Sequence, residues 1–352
     1  GMSVYIRELA RYIGVFGHRV DIYTRLNGSK HNQIIELYDN VRLIHLSAGG
    51  NGHVHKLALY YYLSDFLRAL EGFKNQEGLN YDLIHSHYWT SRRLGSCLQD
   101  RRNNPHPHIL HTLGSEKHIA GKADREPDQR TATENKLARS CQRILAPTDR
   151  EKGNLVKHCH TPAEKIGVVP CGVNLDLFQP MDKDAARQRL GFDENESLVL
   201  YVGRFDPIKG IDRLLKAMAH LKHLKRLRLV IVGGDGSGTT EYQNLRQLCT
   251  KFGIQKSVLF VGRVEQNQLP PYYSAADALV VPSYYESFGL VGLESLACGT
   301  PVVATRVGAM EDILADGKTG YVVADATPRG LADSIEKIIS TPAEQLLSAH
   351  AI

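Results

Sequence analysis

Short apolar runs alternate with amphipathic stretches along most of this 352-residue chain. The runs 227–232 and 278–281 are rich in β-branched residues and too short for helices, which predicts buried strands. The stretch 240–252 carries apolar residues at helical spacing and predicts a helix with one face on a core. Strands that alternate with helices in this way favour a parallel sheet covered on both faces, so the predicted fold class is α/β.

The alternation predicts two domains rather than one. It continues to about residue 170, passes through the turn-rich segment 171–180, and restarts with the strand predicted at 198–202. A chain of this length holds two domains of ordinary size. We therefore expect two doubly wound, Rossmann-like domains, residues 1–170 and 171–352, which face each other across a cleft where a ligand binds.

Three details of the first half are expected from the same pattern. Residues 56–73 predict a helix, and residues 81–85 predict a strand. Residues 114–128 are rich in charge and glycine and predict a mobile loop. These expectations place polar residues at the ends of the first-half strands, where ligands collect in open α/β sheets.

Composition narrows the class of protein. A hydrophobic content of 42% and a charged content of 23% are typical of a soluble globular protein. No apolar run approaches the ~20 residues that cross a bilayer. The net charge of +5 fits an anionic substrate, and no basic run is dense enough to favour nucleic acid. Six scattered cysteines without a C-x2-C pair favour a reducing compartment, so we expect a cytoplasmic protein.

Two histidine pairs are the only candidates for metal binding. His85 and His87 alternate on a predicted strand and share a face, and His158 and His160 flank a cysteine. No second ligand pair follows either of them at zinc-site spacing. We therefore predict no metal site.

Two glutamates flank the start of the helix that follows the strand 278–281. Glu286 stands just before a helix expected to begin near Phe288 or Gly289, and Glu294 lies inside it. The first turn of such a helix has free N–H groups that can bind an anion. Each glutamate alone also fits a simpler interpretation, since acidic residues are favoured near helix N-termini and on solvated helix faces. The helix is expected to bury the apolar residues Leu290, Leu293 and Ala297.

A second loop at a strand end carries two cations. Arg204 and Lys209 lie in the segment 203–210, between a predicted strand and a predicted helix. Arginine binds phosphate through its planar fork and lysine through a point charge, although two surface cations are also common. The glycine-rich segment 233–238 fits no phosphate-loop motif, and a tight turn explains it equally well.

Both motifs resemble those of one enzyme family. Glu286 and Glu294, eight apart around Ser-Phe-Gly-Leu, resemble the E-x7-E motif of retaining glycosyltransferases of family 4, and 203–210 resembles the family's G-R-x-x-x-x-K-G motif. The resemblance covers nearly the whole chain and implies the GT-B fold. The segments 85–89, 130–134 and 169–176 resemble the branch of the family that includes D-inositol-3-phosphate glycosyltransferases and sucrose-phosphate synthases.

The resemblance implies a nucleotide-diphosphate sugar, most simply a UDP-sugar, as the donor bound by the second domain. In the family the first glutamate contacts the donor sugar, the second holds the ribose, and the Arg and Lys neutralise the diphosphate. The implied catalytic residues are Glu286, Arg204, Lys209 and His111. The implied donor-binding residues are Gly1, Arg204, Lys209, Arg263, Val264, Glu286, Ser287, Phe288, Gly289, Leu290, Val291 and Glu294.

The resemblance also implies an acceptor site in the first domain. Lys56, Tyr88, Thr112 and Arg130 match positions where one branch binds a phosphorylated small molecule, although Lys56 and Arg130 fit plain helix-surface charge as well. No catalytic metal and no cofactor beyond the nucleotide sugar is implied. The family begins with a strand and a glycine loop, of which only Gly1 is present here, and it ends with helices that we expect to lie outside this chain.

Three hypotheses therefore stand at this stage. The first is a retaining glycosyltransferase that moves a sugar to a hydroxyl of a small phosphorylated acceptor. The second is another enzyme on the same fold, such as a nucleotide-sugar epimerase, which needs no acceptor, or a phosphorylase. The third is a non-catalytic nucleotide-sugar-binding protein, which binds nucleotide without turnover. The oligomeric state stays open, with a homodimer as one alternative.

Overall fold

The computed structural model describes residues 1–28, 33–50, 54, 58–102, 104–121, 128–234, 236 and 238–341. The chain divides into two compact units. The first unit comprises the described residues within 1–113, 128–146 and 152–168, and the second comprises those within 114–127, 147–151 and 169–352. In this described part of the chain, no helix is long and apolar enough to span a bilayer.

The elements up to residue 168 form a three-stranded sheet and a four-stranded sheet with helices between the strands. In chain order they are α1 Met2–Val15, β1 Val20–Arg25, β2 Ile34–Tyr38, β3 Val41–Leu46, α2 Leu63–Gln76, β4 Ser86–His87, α3 Tyr88–Arg102, β5 Pro107–Ile109, α4 Gly114–Ala120, α5 Asp128–Ser140, β6 Arg143–Ala146, α6 Asp149–Cys159 and β7 Ile166–Val168. The four-stranded sheet has the order β4-β5-β6-β7, and all of its pairs are parallel.

The rest of the second unit repeats the strand–helix alternation around a single sheet. Its elements are α7 Lys183–Leu190, β8 Ser197–Val202, α8 Ile211–His220, β9 Leu227–Val232, α9 Thr240–Phe252, β10 Val258–Gly262, α10 Pro270–Ala275, β11 Ala278–Val281, α11 Leu290–Ala297, β12 Val302–Ala304, α12 Met310–Ile313, β13 Gly320–Val322 and α13 Pro328–Ser340. The six strands are all parallel and have the order β10-β9-β8-β11-β12-β13.

This strand order contains a topological switch point. The chain starts at the central strand β8, winds outward through β9 and β10, and then returns to β11 on the other side of β8. The helices that follow β8 and β11 therefore pack on opposite faces of the sheet. Open α/β sheets bind ligands at a switch point of this kind.

The core explains why the central strands are apolar on both faces. Along β8, Val199 and Tyr201 face a cluster with α8, α9 and α13, whereas Leu198 and Leu200 face a cluster with α7, α10 and α11. All four residues are at most 3% exposed. Burial on both faces is typical of parallel sheets, and it confirms the predicted α/β class of two Rossmann-like units.

Several local expectations were wrong. Residues 114–120 form helix α4 rather than a loop, since Glu116 in the first turn and a run of helix-tolerant residues support it. The predicted strand 81–85 pairs only from Ser86, at the edge of its sheet. Within the predicted helix 56–73, the described residues form a 3-10 turn at 58–62 and then α2, which continues to Gln76.

Strand β2 was not predicted. It pairs antiparallel with β3 through the short turn at Asp39 and Asn40, where Asn40 has a φ of 63°. An Asx pair between two apolar runs is a hairpin signal, so the sequence did contain the information.

The buried face of α11 also differs from the prediction. Leu290, Leu293 and Ala297 are only half-buried, whereas Gly292, Ser295 and Leu296 are buried. A Cβ atom on Gly292 would lie 2.9 Å from the Met310 side chain, so this helix packs closely through its small residues. Glu294 shares the buried side of the helix, which excludes the solvated-face interpretation for this carboxylate.

Candidate functional site

Two loops meet at the switch point of the second unit. The segment 203–210 leaves β8, and the segment 282–289 leaves β11. The backbone N–H of Tyr284 donates to the carbonyl of Ile208 at 2.8 Å, which ties the loops together. The Asp206 side chain accepts from the Ile208 N–H at 3.1 Å and caps the 3-10 turn that presents Lys209.

Gly210 allows this close approach. Its φ is +70°, and a Cβ atom there would lie 2.0 Å from the carbonyl oxygen of Pro282. Only glycine fits a left-handed backbone pressed against another backbone. The glycine therefore fixes how near the Lys209 loop comes to the Glu286 turn.

Gly210→Ala should destabilise the second unit by about 2–4 kcal/mol, because it adds a backbone clash to the left-handed strain. Gly191 is the matched control: its φ is +72° and no heavy atom lies within 4 Å of its Cβ position. Gly191→Ala should cost only about 1 kcal/mol, the strain alone. Urea unfolding followed by circular dichroism measures both losses, and equal losses would contradict the role given to the Pro282 contact.

Lys209 and Glu286 form the central ion pair of the site. Lys209 Nζ lies 2.6 Å from Glu286 Oε1, and the two side chains are 21% and 13% exposed. Ser283 Oγ donates to the same Oε1 atom at 2.9 Å. Both side chains are partly exposed at the switch point, so a ligand there can reach them.

Arg204 extends from the same loop into solvent. Its side chain is 72% exposed, and its guanidinium lies 3.6 Å from the carboxylate of Asp206. The hydroxyl of Tyr201 donates to the backbone carbonyl of Arg204 at 2.9 Å, and this hydrogen bond stabilises the loop. An exposed guanidinium on a supported loop can turn towards an anion without breaking a buried contact.

The start of α11 completes one wall of the site. Gly289 occupies the N-cap position with a φ of 97°, and the half-buried Ser287, Leu290 and Val291 surround it. Phe288 is buried, and its carbonyl accepts from Ala309 N at 2.9 Å. The first N–H groups of a helix have no intrahelical acceptor and carry the positive end of the dipole.

Glu294 is the second carboxylate of the site and is 7% exposed. The hydroxyl of Tyr273, on α10, donates to Glu294 Oε2 at 2.7 Å. Burial raises the pKa of the Glu294 carboxyl above its ordinary value, and the hydrogen bond from Tyr273 opposes that rise. The carboxylate thus has one oxygen held by the protein.

The two remaining donor-site candidates follow β10. The side chain of Arg263 is 75% exposed and lies 3.7 Å from Glu265, and Val264 packs on the core beside the strand end. The structure therefore brings together the candidates of 204–294 at the carboxyl edge of one sheet. Gly1 is the N-cap residue of α1 and belongs to the first unit.

His111 lies beside His87 in a cluster of histidines in the first unit, and both rings are half-buried. His111 Nε2 is 2.9 Å from His87 Nδ1, and the ring of Tyr5 meets His111 edge-on with centroids 5.2 Å apart. Burial lowers the pKa of His111 to about 4 and that of His87 to about 2. Both rings are therefore neutral at physiological pH, and one of them must donate to the other.

Three of the four acceptor-site candidates meet in the first unit. Arg130 Nη2 donates to the Thr112 carbonyl at 2.9 Å and to its hydroxyl at 3.1 Å. The guanidinium carbon lies 4.9 Å from the centroid of the Tyr88 ring. Arg130 is 0% exposed, which excludes the helix-surface interpretation, and Lys56 lies outside the described residues.

Backbone strain marks the same place. Tyr88 has a φ of 74° and His111 a φ of 61°, both in the left-handed region that non-glycine residues rarely occupy. Strain of this kind persists only where the surrounding structure enforces it, and it clusters at functional sites. Tyr88 contacts the Arg130 guanidinium, and His111 directly precedes Thr112, which accepts from Arg130.

Several site residues were missed by the sequence analysis. Glu134 pairs with Arg130 at 2.7 Å, and the i,i+4 spacing of the two residues was a usable signal. Tyr273 had no local signal, since it reaches Glu294 only through the fold, whereas Ser283 lies three residues before Glu286 in the same turn. Among the described residues, no group of three or more His, Cys, Asp or Glu side chains is arranged to hold a metal ion.

Comparison with known proteins identifies the family of this chain. Residues 1–177 match the family model for glycosyltransferase family 4, and residues 182–349 match that for glycosyl transferases group 1. A D-inositol 3-phosphate glycosyltransferase of Catenulispora acidiphila is 38% identical over 354 residues, which cover 97% of this chain and 82% of that protein.

Solved structures give the same result. The sucrose-phosphate synthase of Thermosynechococcus elongatus superimposes with a TM-score of 0.89 at 32% identity, covering 99% of this chain and 86% of that one. Anabaena HepE, solved in complex with UDP and glucose, shares the fold with a TM-score of 0.72 at 20% identity, covering 89% of this chain and 80% of that one. This chain therefore belongs to glycosyltransferase family 4, a family of retaining enzymes with the GT-B fold.

Proposed function

We propose that this glycosyltransferase moves a sugar from a UDP-sugar to a hydroxyl of a small phosphorylated acceptor, with retention of anomeric configuration. The observation that carries the proposal is the Lys209–Glu286 pair at 2.6 Å, set beside the N-terminus of α11 at the topological switch point. A cation, a carboxylate and a helix dipole at one strand edge suit a substrate that has both a diphosphate and a sugar.

The donor would be held at three points. Arg204, Lys209 and the first N–H groups of α11 would face the diphosphate, with Glu286 on the sugar hydroxyls. Glu294 would accept hydrogen bonds from the ribose. The base would lie along the end of β10, where Arg263 and Val264 are found. HepE was solved with UDP and with UDP-glucose, which supports UDP as the nucleotide.

The transfer step would need no protein nucleophile. The bond between the anomeric carbon and the β-phosphate oxygen breaks, and negative charge develops on the phosphate. Lys209 and Arg204 stabilise that charge, which grows in the transition state and so lowers the barrier. The acceptor oxygen attacks from the face that the phosphate leaves, and the phosphate oxygen takes the acceptor proton. Retention follows from attack on that face.

The acceptor phosphate would bind at Arg130, Thr112 and Tyr88, together with Lys56. A guanidinium held by a carbonyl and stacked near an aromatic ring is already oriented, so it binds a phosphate at low entropic cost. The named relatives support this class of acceptor, since one is an inositol-3-phosphate glycosyltransferase and another a sucrose-phosphate synthase. Residues 1–170 would thus serve the acceptor and 171–352 the donor.

His111 would act beside the donor sugar as a neutral hydrogen-bonding group. Its lowered pKa, about 4, keeps the ring uncharged across the physiological range. A neutral imidazole adds no positive charge near the anomeric carbon, where positive charge builds as the glycosidic bond breaks. We assign it a catalytic role of orientation rather than proton transfer.

Thermal unfolding against UDP, GDP and ADP tests the donor assignment. A ligand that binds only the folded state adds about 2.7 kcal/mol at a hundredfold excess over its dissociation constant. We expect UDP alone to raise the melting temperature, and UDP-sugars to raise it further. A shift with GDP or ADP but not with UDP would contradict the proposed donor.

A further inference from the structure

Tyr273 lies behind the Glu294 carboxylate and is fixed before any ligand arrives. It is 0% exposed, and the Phe178 ring packs edge-on against its ring with centroids 6.0 Å apart. Its backbone carbonyl accepts from Thr300 Oγ1 at 2.6 Å. The ring is therefore held in place, and the nearest acceptor sets the direction of its O–H.

That direction is Glu294 Oε2, at 2.7 Å. Among the described residues, no protein group donates to the other oxygen, Oε1. A carboxylate with one oxygen hydrogen-bonded and the other available accepts further hydrogen bonds from a defined direction. A ribose presents two neighbouring hydroxyls, and such a pair of donors fits a carboxylate whose orientation is fixed.

We propose that Tyr273 is a positioning residue of the donor site, which orients the Glu294 carboxylate so that it selects ribonucleotides over 2′-deoxyribonucleotides. This inference rests on the proposed function, in which Glu294 holds the ribose. Without the phenol, the carboxylate rotates away from its acceptor direction and loses a charge-assisted hydrogen bond inside the core. The site would then still bind the base and the diphosphate but no longer distinguish the sugars.

Calorimetric titration with UDP and 2′-deoxy-UDP tests the inference. A hydrogen bond to a charged group changes affinity by about 10- to 100-fold, so the wild-type protein should prefer UDP by that ratio. In Tyr273→Phe the preference should fall to about threefold or less, with the affinity for 2′-deoxy-UDP nearly unchanged. Retained binding of 2′-deoxy-UDP also shows that the variant is folded.

The adjacent Tyr272 offers a matched control. It lies on the same helix, is half-buried and makes no side-chain hydrogen bond among the described residues. Tyr272→Phe removes the same hydroxyl group from the neighbouring position and should keep the full preference for UDP. An equal loss in both variants would mean that a general loosening of α10 causes it, and would overturn the role of Tyr273.

Glu294→Gln separates this inference from the proposed function. If Glu294→Gln keeps both the affinity for UDP and the preference, the ribose assignment fails and the Tyr273 inference fails with it. If Glu294→Gln loses the preference but Tyr273→Phe keeps it, only the Tyr273 inference is overturned.

The double variant Tyr273→Phe/Glu294→Gln closes the cycle. Because Glu294→Gln removes the buried charge, the double variant does not leave a buried carboxylate without the Tyr273 hydroxyl. It therefore tests the coupling between the two residues even if Tyr273→Phe alone folds poorly. We expect its UDP preference to equal that of Glu294→Gln alone. A further loss in the double variant would show that Tyr273 acts by another route and would overturn the inference.

Discussion

Lys209→Ala should lower kcat by about 100- to 1000-fold, the loss typical when one group that stabilises transition-state charge is removed. The affinity for the donor should fall much less, since in the proposed site Arg204 and the α11 N–H groups would still face the diphosphate. The ammonium lies 2.6 Å from Glu286 at the switch point, where the leaving phosphate would gain charge. Steady-state kinetics with a UDP-sugar, measured as UDP release, gives both quantities.

Lys216 provides the control for this variant. It lies on the helix that follows the Lys209 loop, its side chain is 46% exposed, and it pairs with Asp212 at 3.7 Å. Lys216→Ala removes an equal charge from the same unit and should leave kcat unchanged. A kcat for Lys209→Ala within about threefold of the wild-type value would remove this lysine from the catalytic group.

Lowering the pH from about 6.5 to about 4 should unfold the first unit. Burial lowers the pKa of His85 and His111 to about 4, of His106 to about 3 and of His87 to about 2. The unfolded chain binds protons near pH 6.5 while the folded rings stay neutral, so the free energy of unfolding falls as the pH drops. Each ring contributes up to about 1.4 kcal/mol per pH unit, against a total stability of about 5–15 kcal/mol.

Trp89 reports this transition. It is the single tryptophan of the chain, is 3% exposed and belongs to the first unit, so its fluorescence follows that unit alone. In His87→Gln, which cannot take up a proton, the slope of stability against pH should decrease by about 1.4 kcal/mol per unit. His223→Gln, in the second unit, should leave the transition that Trp89 reports unchanged. Trp89 emission that stays native down to pH 4 would contradict the account.

The sequence predicted the second unit best, since its signals are local. Six parallel strands with apolar runs on both faces produced strand bounds within a residue or so of those observed. Its site motifs are loops at the ends of those strands, and the strand-end rule alone placed Arg204 and Lys209 at one edge. Their meeting with Glu286 depends on the Gly210 contact, which no local pattern shows.

The first unit was predicted less well, because its strands are short. Strand β4 has two residues and β5 three. The paired residues therefore make up only a small part of the apolar runs from which these strands were predicted. The burial of Arg130 could not be predicted either, since a charged residue on a helix is usually exposed. Only the fold brings Arg130 to Thr112, and the ion pair with Glu134 helps to offset the cost of burying its charge.

The contacts that orient the two glutamates also show how far the sequence alone can predict a site. Tyr273 reaches Glu294 across 21 residues of sequence, whereas Ser283 and Glu286 are three residues apart in one turn. A motif identifies the groups that touch a substrate, because their spacing is fixed by the loop that carries them. A residue that holds such a group from a neighbouring element, as Tyr273 holds Glu294, is visible only in the structure.

Acceptor-dependent release of UDP tests the central claim most directly. The assay supplies a panel of UDP-sugars with inositol 3-phosphate or a hexose phosphate, and compares each with the same molecule lacking the phosphate. We expect UDP release with one of the phosphorylated acceptors, little or none with its unphosphorylated form, and a product that keeps the anomeric configuration of the donor. Equal release with both forms, or an inverted product, would contradict the account.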